Sequence, residues 1–472
     1  MSTPRQSSTA DAPAEATGPD QPTGSATTAD GDAGPPPAVV ERSLRHSIKD
    51  AAAWAFMQGA AGSNVATFVV LERVGLWQVA AVAALPALFG GLTQWAAANV
   101  TDRVSRRNQI VVPTAVAQAL VWLPMCGALF LPFDRLGYWV ILAGYILYIA
   151  LGNFPVPAWQ SIMGDLVPPA RRGRYFGIRN GIAGSSLMAS FFLAGWWITL
   201  CQHLRVPGVS GLSGTSVAFL VIFVLACAAR LVSAWYLSRI YEPPYRPQPS
   251  DRFSLLDFIR RAPRAHFGRF VLYCMSMHVG IGLVQPFLAW YLIDQLHYAP
   301  GWYAAVQTTS FLLTFGTQPL WGRLIDRIGS KRVLSIGGLM LIGVPLLLMF
   351  CRSLWQFAAV MAFEGIALGA FQIAMVNYLF DSVTPAKRAR CAAYQSLFLS
   401  LGLALGAAAG ALVGTHGPVH LAAGGLVGGD AFMLMLLAAT TARLLANVAL
   451  LWSFQEFRLS APKFPPPKFG LH

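Results

Sequence analysis

Glu364 is the one acidic side chain placed deep inside an apolar stretch of this 472-residue chain. A carboxylate at such a depth is costly unless it carries a proton, pairs with a buried base or finds a local hydrogen bond. Two bases lie in comparable settings, as Ala229-Arg230-Leu231 and Ala442-Arg443-Leu444. Their recurrence favours a scaffold role for both, clamping backbone carbonyls or carboxylates, and Arg443 is the partner open to Glu364. The uncharged polar residues in apolar stretches are few. Trp54 and Gln58 are one helical turn apart; Asn153 and Gln160, like His278 and Gln285, are seven apart and share a face; Gln372 follows Glu364. These eight are the candidate contact residues for a solute, and Glu364 is the candidate for proton coupling. His278, a lone histidine on an apolar stretch, reads more readily as a packing residue than as a relay. A polar run at Gln307, Thr308, Thr309 and Gln318 shows that polarity by itself does not mark a cavity.

Other chemistry has no apparatus here. There is no G-x-x-x-x-G-K-S/T loop and no H-E-x-x-H, so neither nucleotide-driven pumping nor metalloprotease chemistry is expected. Cys126, Cys201, Cys227, Cys274, Cys351 and Cys391 lack metal-type spacing. They read as isolated thiols, with a Cys201–Cys351 disulfide the alternative. No catalytic residue, metal or cofactor is expected, and the chain is not read as an enzyme.

The elements that must position these side chains are membrane helices. Residues are 55% hydrophobic and 11% charged, with a mean hydropathy of +0.53, far from the charged share of soluble domains. Twelve apolar runs occur, near 50–70, 77–100, 108–131, 137–163, 175–200, 216–238, 269–293, 301–322, 333–350, 355–380, 391–415 and 429–454. Each is long enough to cross about 30 Å of hydrocarbon as a helix, and none alternates with the period of a barrel strand. The net charge of +14 raises nucleic acid as a partner, but the distribution of bases answers otherwise. Of 34 Lys and Arg, 28 fall on one side of the twelve runs and four on the other. That bias makes the basic side cytoplasmic, with both termini on it. The partners expected are therefore a bilayer, most simply the cell (inner) membrane, and a small solute, without nucleic acid.

The sequence repeats itself. Ala98-Asn-Val-Thr-Asp102-Arg103-Val-Ser105-Arg106-Arg107 after the second run answers Gly322-Arg-Leu-Ile-Asp326-Arg327-Ile-Gly329-Ser-Lys331-Arg332 after the eighth. Asp165-Leu-Val-Pro-Pro169-Ala-Arg171-Arg172 answers Asp381-Ser-Val-Thr-Pro385-Ala-Lys387-Arg388. Repeats of this kind divide the chain into six runs twice. The expected layout is a disordered tail at 1–44, rich in Ala, Pro, Thr, Gly and Ser, a six-helix bundle at 45–238, a cytoplasmic linker at 239–268, a second bundle at 269–454 and a tail at 455–472. The start Ser254-Leu-Leu-Asp257 predicts a short helix on the inner leaflet within the linker.

Gly322 to Arg332 resembles the signature loop between the second and third helices of each half of the major facilitator superfamily, and the resemblance spans the membrane region. The first copy departs from it, with Ala98 and Ser105 at positions where that family usually has glycine. The resemblance implies an all-α integral membrane protein with twelve transmembrane helices in two pseudo-symmetric bundles. It also implies a monomeric secondary transporter whose first, fourth, seventh and tenth helices line a central cavity. It makes Asp102, Arg103, Arg106, Gly322, Asp326, Arg327, Gly329 and Arg332 a conformational latch, in which Gly329 permits a turn of positive φ and Asp326 pairs with Arg327 or Arg332. A transporter-like membrane solute sensor is the alternative. In the eleventh run Gly402, Gly406, Gly410 and Gly414 share a face. That strip serves either a sliding contact with the second helix across the two halves or static packing within one half.

Overall fold

The computed structural model describes residues 36–101, 104, 106–168, 171–202, 213–243, 255–384, 387–416 and 430–455. They form seventeen α-helices and no strand among the described residues. The first half holds α1 (Pro37–Ala60), α2 (Val65–Leu71), α3 (Leu76–Thr101), α4 (Asn108–Leu120), α5 (Trp122–Ala128), α6 (Tyr138–Asn153), α7 (Val156–Leu166), α8 (Arg172–Gln202) and α9 (Gly214–Ser238). Between the halves lies α10 (Leu255–Arg261). The second half holds α11 (His266–Gly282), α12 (Gln285–Trp290), α13 (Pro300–Ile328), α14 (Ser330–Leu348), α15 (Leu354–Ser382), α16 (Arg388–His416) and α17 (Asp430–Leu450).

Several expected runs are broken helices, and the breaks have local causes. Pro124 lies just inside α5 and Pro155 and Pro157 flank the start of α7; Pro286 opens α12. Each removes a backbone donor and clashes with the preceding turn. Between α1 and α2 there is no proline. There Asn64 Nδ2 donates to Gly59 O at 3.2 Å and Ala60 O at 3.0 Å, and the Tyr145 hydroxyl donates to Gly62 O at 3.1 Å. Side chains thus satisfy the carbonyls that an interrupted helix leaves behind, as a nonaqueous setting demands.

Counting broken helices as single spans, ten among the described residues are long and apolar enough to cross a bilayer. Segments α1–α2 and α13 are long too but more polar, α1 through Glu41, Arg42, Arg45, Lys49 and Asp50, and α13 through Gln307, Thr308, Thr309 and Gln318. Helix α1 begins at Pro37, well before residue 45, which puts Asp50 in its interior. Arg179, counted with the basic turns from sequence, likewise lies within α8.

Each half has its own core. One centres on Phe68, Trp122, Tyr148, Phe219 and Phe223, the other on Phe270, Tyr273, Phe287, Phe357 and Tyr378. Apolar burial drives little helix association in a bilayer, so close backbone approach carries the packing. The α16 strip illustrates it. A Cβ on Gly402 would lie 2.4 Å from Met275 O, one on Gly406 2.1 Å from Val279 O, and one on Gly410 2.5 Å from the Phe287 ring. Gly402, Gly406 and Gly410 thus pack on α11 and α12 within the second half, whereas a Cβ on Gly414 would meet Met435 of α17 at 2.2 Å and Leu76 of α3 at 2.8 Å. Helix α16 also meets α3 through a 2.7 Å hydrogen bond from Ser396 to Gln94.

The halves touch along α3–α16 and α8–α13 and where α2 meets α12. Along α8–α13 contact runs from Gly184 against Phe315 to Gly301 N, which donates to Thr199 Oγ1 at 2.8 Å. Beyond Gly184, toward the basic turns, Gly177, Gly181 and Gly316 have nothing within 4 Å of where a Cβ would stand. Contact between these two helices thus runs from Gly184 toward the end remote from the basic turns, and the glycines nearer those turns face open space. The linker helix α10 forms as expected, with Phe258 buried against Phe267, Tyr394 and Phe398.

Candidate functional site

Polar chemistry collects at one locus in each half. In the first, Asp50 of α1 is 4% exposed. Ser233 Oγ of α9 donates to Asp50 Oδ1 at 2.6 Å and in turn accepts from Arg230 Nη1 at 2.6 Å. Arg179 of α8 reaches Asp50 Oδ2 at 3.5 Å, donates through Nε to Ser47 at 3.2 Å and lies 4.3 Å over the Trp159 ring. A carboxylate at this depth is tolerable because charge and hydrogen bonds surround it. Close approach makes the locus possible: Gly59 of α1 would drive a Cβ to 2.2 Å from Leu187 O of α8. A cavity of about 200 Å³ opens beside the cluster, lined by Asp50, Arg179 and Arg230 with Trp54, Trp159 and Gln160.

In the second half, Glu364 of α15 accepts a 3.3 Å hydrogen bond from Ser310 of α13. It lines a cavity of about 10 Å³, room for roughly one water, together with Gln285, Gln307 and Arg443. Arg443 of α17 is anchored elsewhere, donating to Leu341 O at 2.6 Å and Gly280 O at 3.1 Å. It lies flat on α11, where a Cβ at Gly280 would meet its Cγ at 2.4 Å.

The sequence-derived contact residues divide between these loci. Trp54 and Gln160 share the first cavity, and Gln285 and Glu364 the second. Gln58 instead accepts from the Tyr148 hydroxyl at 2.5 Å. Asn153 donates to Ile149 O at 2.9 Å, and His278 Nδ1 lies 2.8 Å from Cys274 O, each on its own helix. Gln372 is exposed. Sequence reasoning overlooked Asp50: Glu364 is not the sole deep carboxylate, because α1 starts earlier than hydropathy suggested. The signal was present in Asp50 and Trp54 at i, i+4. All six cysteines are free thiols.

Of the expected latch, Asp102 and Arg103 lie outside the described residues. Arg106, Asp326, Arg327 and Arg332 are exposed, and Asp326 is not ion-paired with Arg327 or Arg332. Gly329 has φ 98°, a conformation that requires glycine, and a Cβ on Gly322 would lie 3.7 Å from Ile373, an ordinary contact. The strongest ionic contacts near these turns belong to Arg107, which is wholly buried. It reaches Asp165 at 2.6 Å, Ser161 at 2.7 Å and Pro243 O at 3.0 Å. In the other half, Lys331 ties down Phe454 O at 2.5 Å. Arg172 and Arg388 repeat one geometry, each bonding the carbonyls five and eight residues back and so closing the ends of α7 and α15.

Helices without strands and ten apolar spans among the described residues, together with internal repetition, define an integral membrane protein. The chain belongs to the Major Facilitator Superfamily, whose profile matches residues 51–306 and 270–453. It is 33% identical over 126 residues to the "Multidrug resistance protein MdtG" of Erwinia billingiae, and 34% over 121 residues to that of Dickeya zeae. These matches cover 25% of this chain and span about a third or less (30% and 29%) of the relatives' length. The fold is similar to that of the nucleoside transporter NupG, with a TM-score of 0.65 at 12% identity over 88% of this chain and 100% of that one. It is also similar to a bacterial homologue of ferroportin in an inward-facing state, with a TM-score of 0.61 at 15% identity over 89% and 99%.

Proposed function

We propose that this protein is a secondary active transporter that carries a small solute by alternating access, with proton movement coupled through Glu364. All twelve long segments cross the membrane, including α1–α2 and α13, whose polar faces turn to protein. Both termini are cytoplasmic, the protein is a monomer in the cell membrane, and the bundles span 45–238 and 269–454. On that orientation we read the state as inward-open, because the glycines of α8 and α13 toward the basic turns, Gly177, Gly181 and Gly316, face open space. Likeness to an inward-facing ferroportin homologue supports this reading, and the names of the multidrug resistance relatives support an organic solute.

The observation that carries the coupling assignment is how loosely Glu364 is held. Asp50 is fixed by Ser233 and two guanidinium groups, whereas Glu364 has one 3.3 Å bond and no cation within 4 Å. A carboxylate that changes protonation during a cycle must be free to trade partners. Glu364→Gln keeps the shape and cannot ionise. In proteoliposomes, with a solute identified by counterflow screening, its pH-gradient-driven transport is lost while counterflow persists. Unchanged gradient-driven transport in Glu364→Gln sinks the assignment.

A further inference from the structure

The cluster in the first half has a charge imbalance that its structural role does not use. Arg179 and Arg230 bring two positive charges and Asp50 one negative charge; the other polar groups packed around them, Ser47, Ser233, Tyr148 and Tyr175, are neutral. Burial of a net charge is expensive without a counterion. Two donors also remain unsatisfied: Arg230 Nε and Trp159 Nε1 are buried with no hydrogen-bond partner. Leaving such groups unpaired is costly, and both residues line the same cavity. Arg443 Nε is likewise unpartnered, but its cavity of about 10 Å³ accommodates nothing beyond a water. At about 200 Å³ the first cavity is smaller than the roughly 300–1,000 Å³ of pockets for drug-sized molecules. Its walls are two indoles, which offer flat apolar surface, and Gln160 adds an amide that can donate or accept.

We infer that the solute is a small organic anion with a planar aromatic body, its acid group held between Arg179 and Arg230 and its ring by Trp159 and Trp54. The word solute rests on the transporter reading; the anion site itself does not. A planar guanidinium fork suits a carboxylate or a phosphonate, and Asp50 keeps the two arginines apart and oriented in the absence of ligand. Glu364, in the other half, takes no part in this recognition.

The test uses the full-length protein in detergent, with calorimetric titration of benzoate, neutral benzamide and cationic benzylamine. Benzoate is expected to bind at least ten-fold more tightly than either analogue. Arg179→Gln is expected to weaken benzoate at least ten-fold, and Arg179→Lys, which keeps the charge without the fork, by less. Should Arg179→Gln lose the elution profile of the folded protein, Trp159→Leu carries the same test with an expected loss of at least five-fold. Equal affinity for benzoate and benzamide, or benzoate binding indifferent to both variants, overturns the inference. Counterflow of labelled benzoate separates the two readings. Binding without counterflow upholds the anion site and rejects the carrier. Counterflow of a neutral solute with no preference for benzoate keeps the carrier and rejects the anion site.

Discussion

Arg230 and Arg443 stand at matching points of the two halves, yet their surroundings differ in kind. Arg230 belongs to an ionic network with Asp50, Ser233 and Arg179 beside a cavity of about 200 Å³, and its half is held by charge. Arg443 is fastened to two backbone carbonyls, Glu364 nearby has one long hydrogen bond, and the space between is about 10 Å³. The same residue thus serves as a counterion in one half and as a strut in the other. Duplication supplied a position that tolerates a buried guanidinium, and the neighbouring helices decided its use. The lesson is that symmetry of sequence predicts placement better than it predicts role.

Removing each arginine should expose that difference. Arg230→Leu takes one of the two cations from Asp50 and the donor to Ser233, leaving Arg179 at 3.5 Å; breaking a buried pair outright costs roughly 3–5 kcal/mol, so the thermal midpoint of the purified protein should fall by part of that, and Asp50→Leu in the same chain should restore some of it. A double variant no more stable than Arg230→Leu would show that the network is not ionic in effect. Gly406→Ala tests the second half's dependence on contact. Its Cβ would meet backbone at 2.1 Å, so α16 must move off α11, a strain worth about 1–3 kcal/mol. Retention of the wild-type midpoint would show that the strip is not tightly seated. Arg443→Met leaves the carbonyls of Leu341 and Gly280 without their donor, costing about 1–3 kcal/mol, with no rescue by Glu364→Leu, in contrast to the Asp50–Arg230 pair. Rescue would make the two halves alike after all. The smallest effect is expected at Gly181, which has open space around it. Gly181→Ala should stabilise by about 0.5–1 kcal/mol through helix propensity, and a fall in midpoint would show that α8 packs against another surface there.

Run lengths and basic turns made the helices legible from sequence because hydrocarbon thickness and the absence of water dictate both. The second apolar run near 77–100 became Leu76–Thr101, and the fifth near 175–200 became Arg172–Gln202. Helix α1 was read too short because its first turns are charged, and hydropathy does not distinguish a charged helix seated among others from a loop. That error hid Asp50 and, with it, the partner of Arg230. Arg179 was hidden likewise, since an arginine near a basic turn looks like an anchor until a neighbouring helix supplies a carboxylate and an indole. An ion pair between Glu364 and Arg443 was one alternative open from sequence; the two line one small cavity, but Arg443 is taken by the carbonyls of Leu341 and Gly280, which only packing determines.

The interruption at Asn64 has a mechanical consequence. A helix cut in hydrocarbon normally leaves its end raw, and such an end either recruits water or unravels. Here the cut is sutured by the chain's own amide and by Tyr145, so Val65–Leu71 forms an independent stub rather than the tail of α1. That stub is the part of the first segment that touches α12. The stub is thus fastened at Asn64 by hydrogen bonds of its own while the charged body of α1 is pinned separately through Asp50, so the two parts of one segment are held by different means.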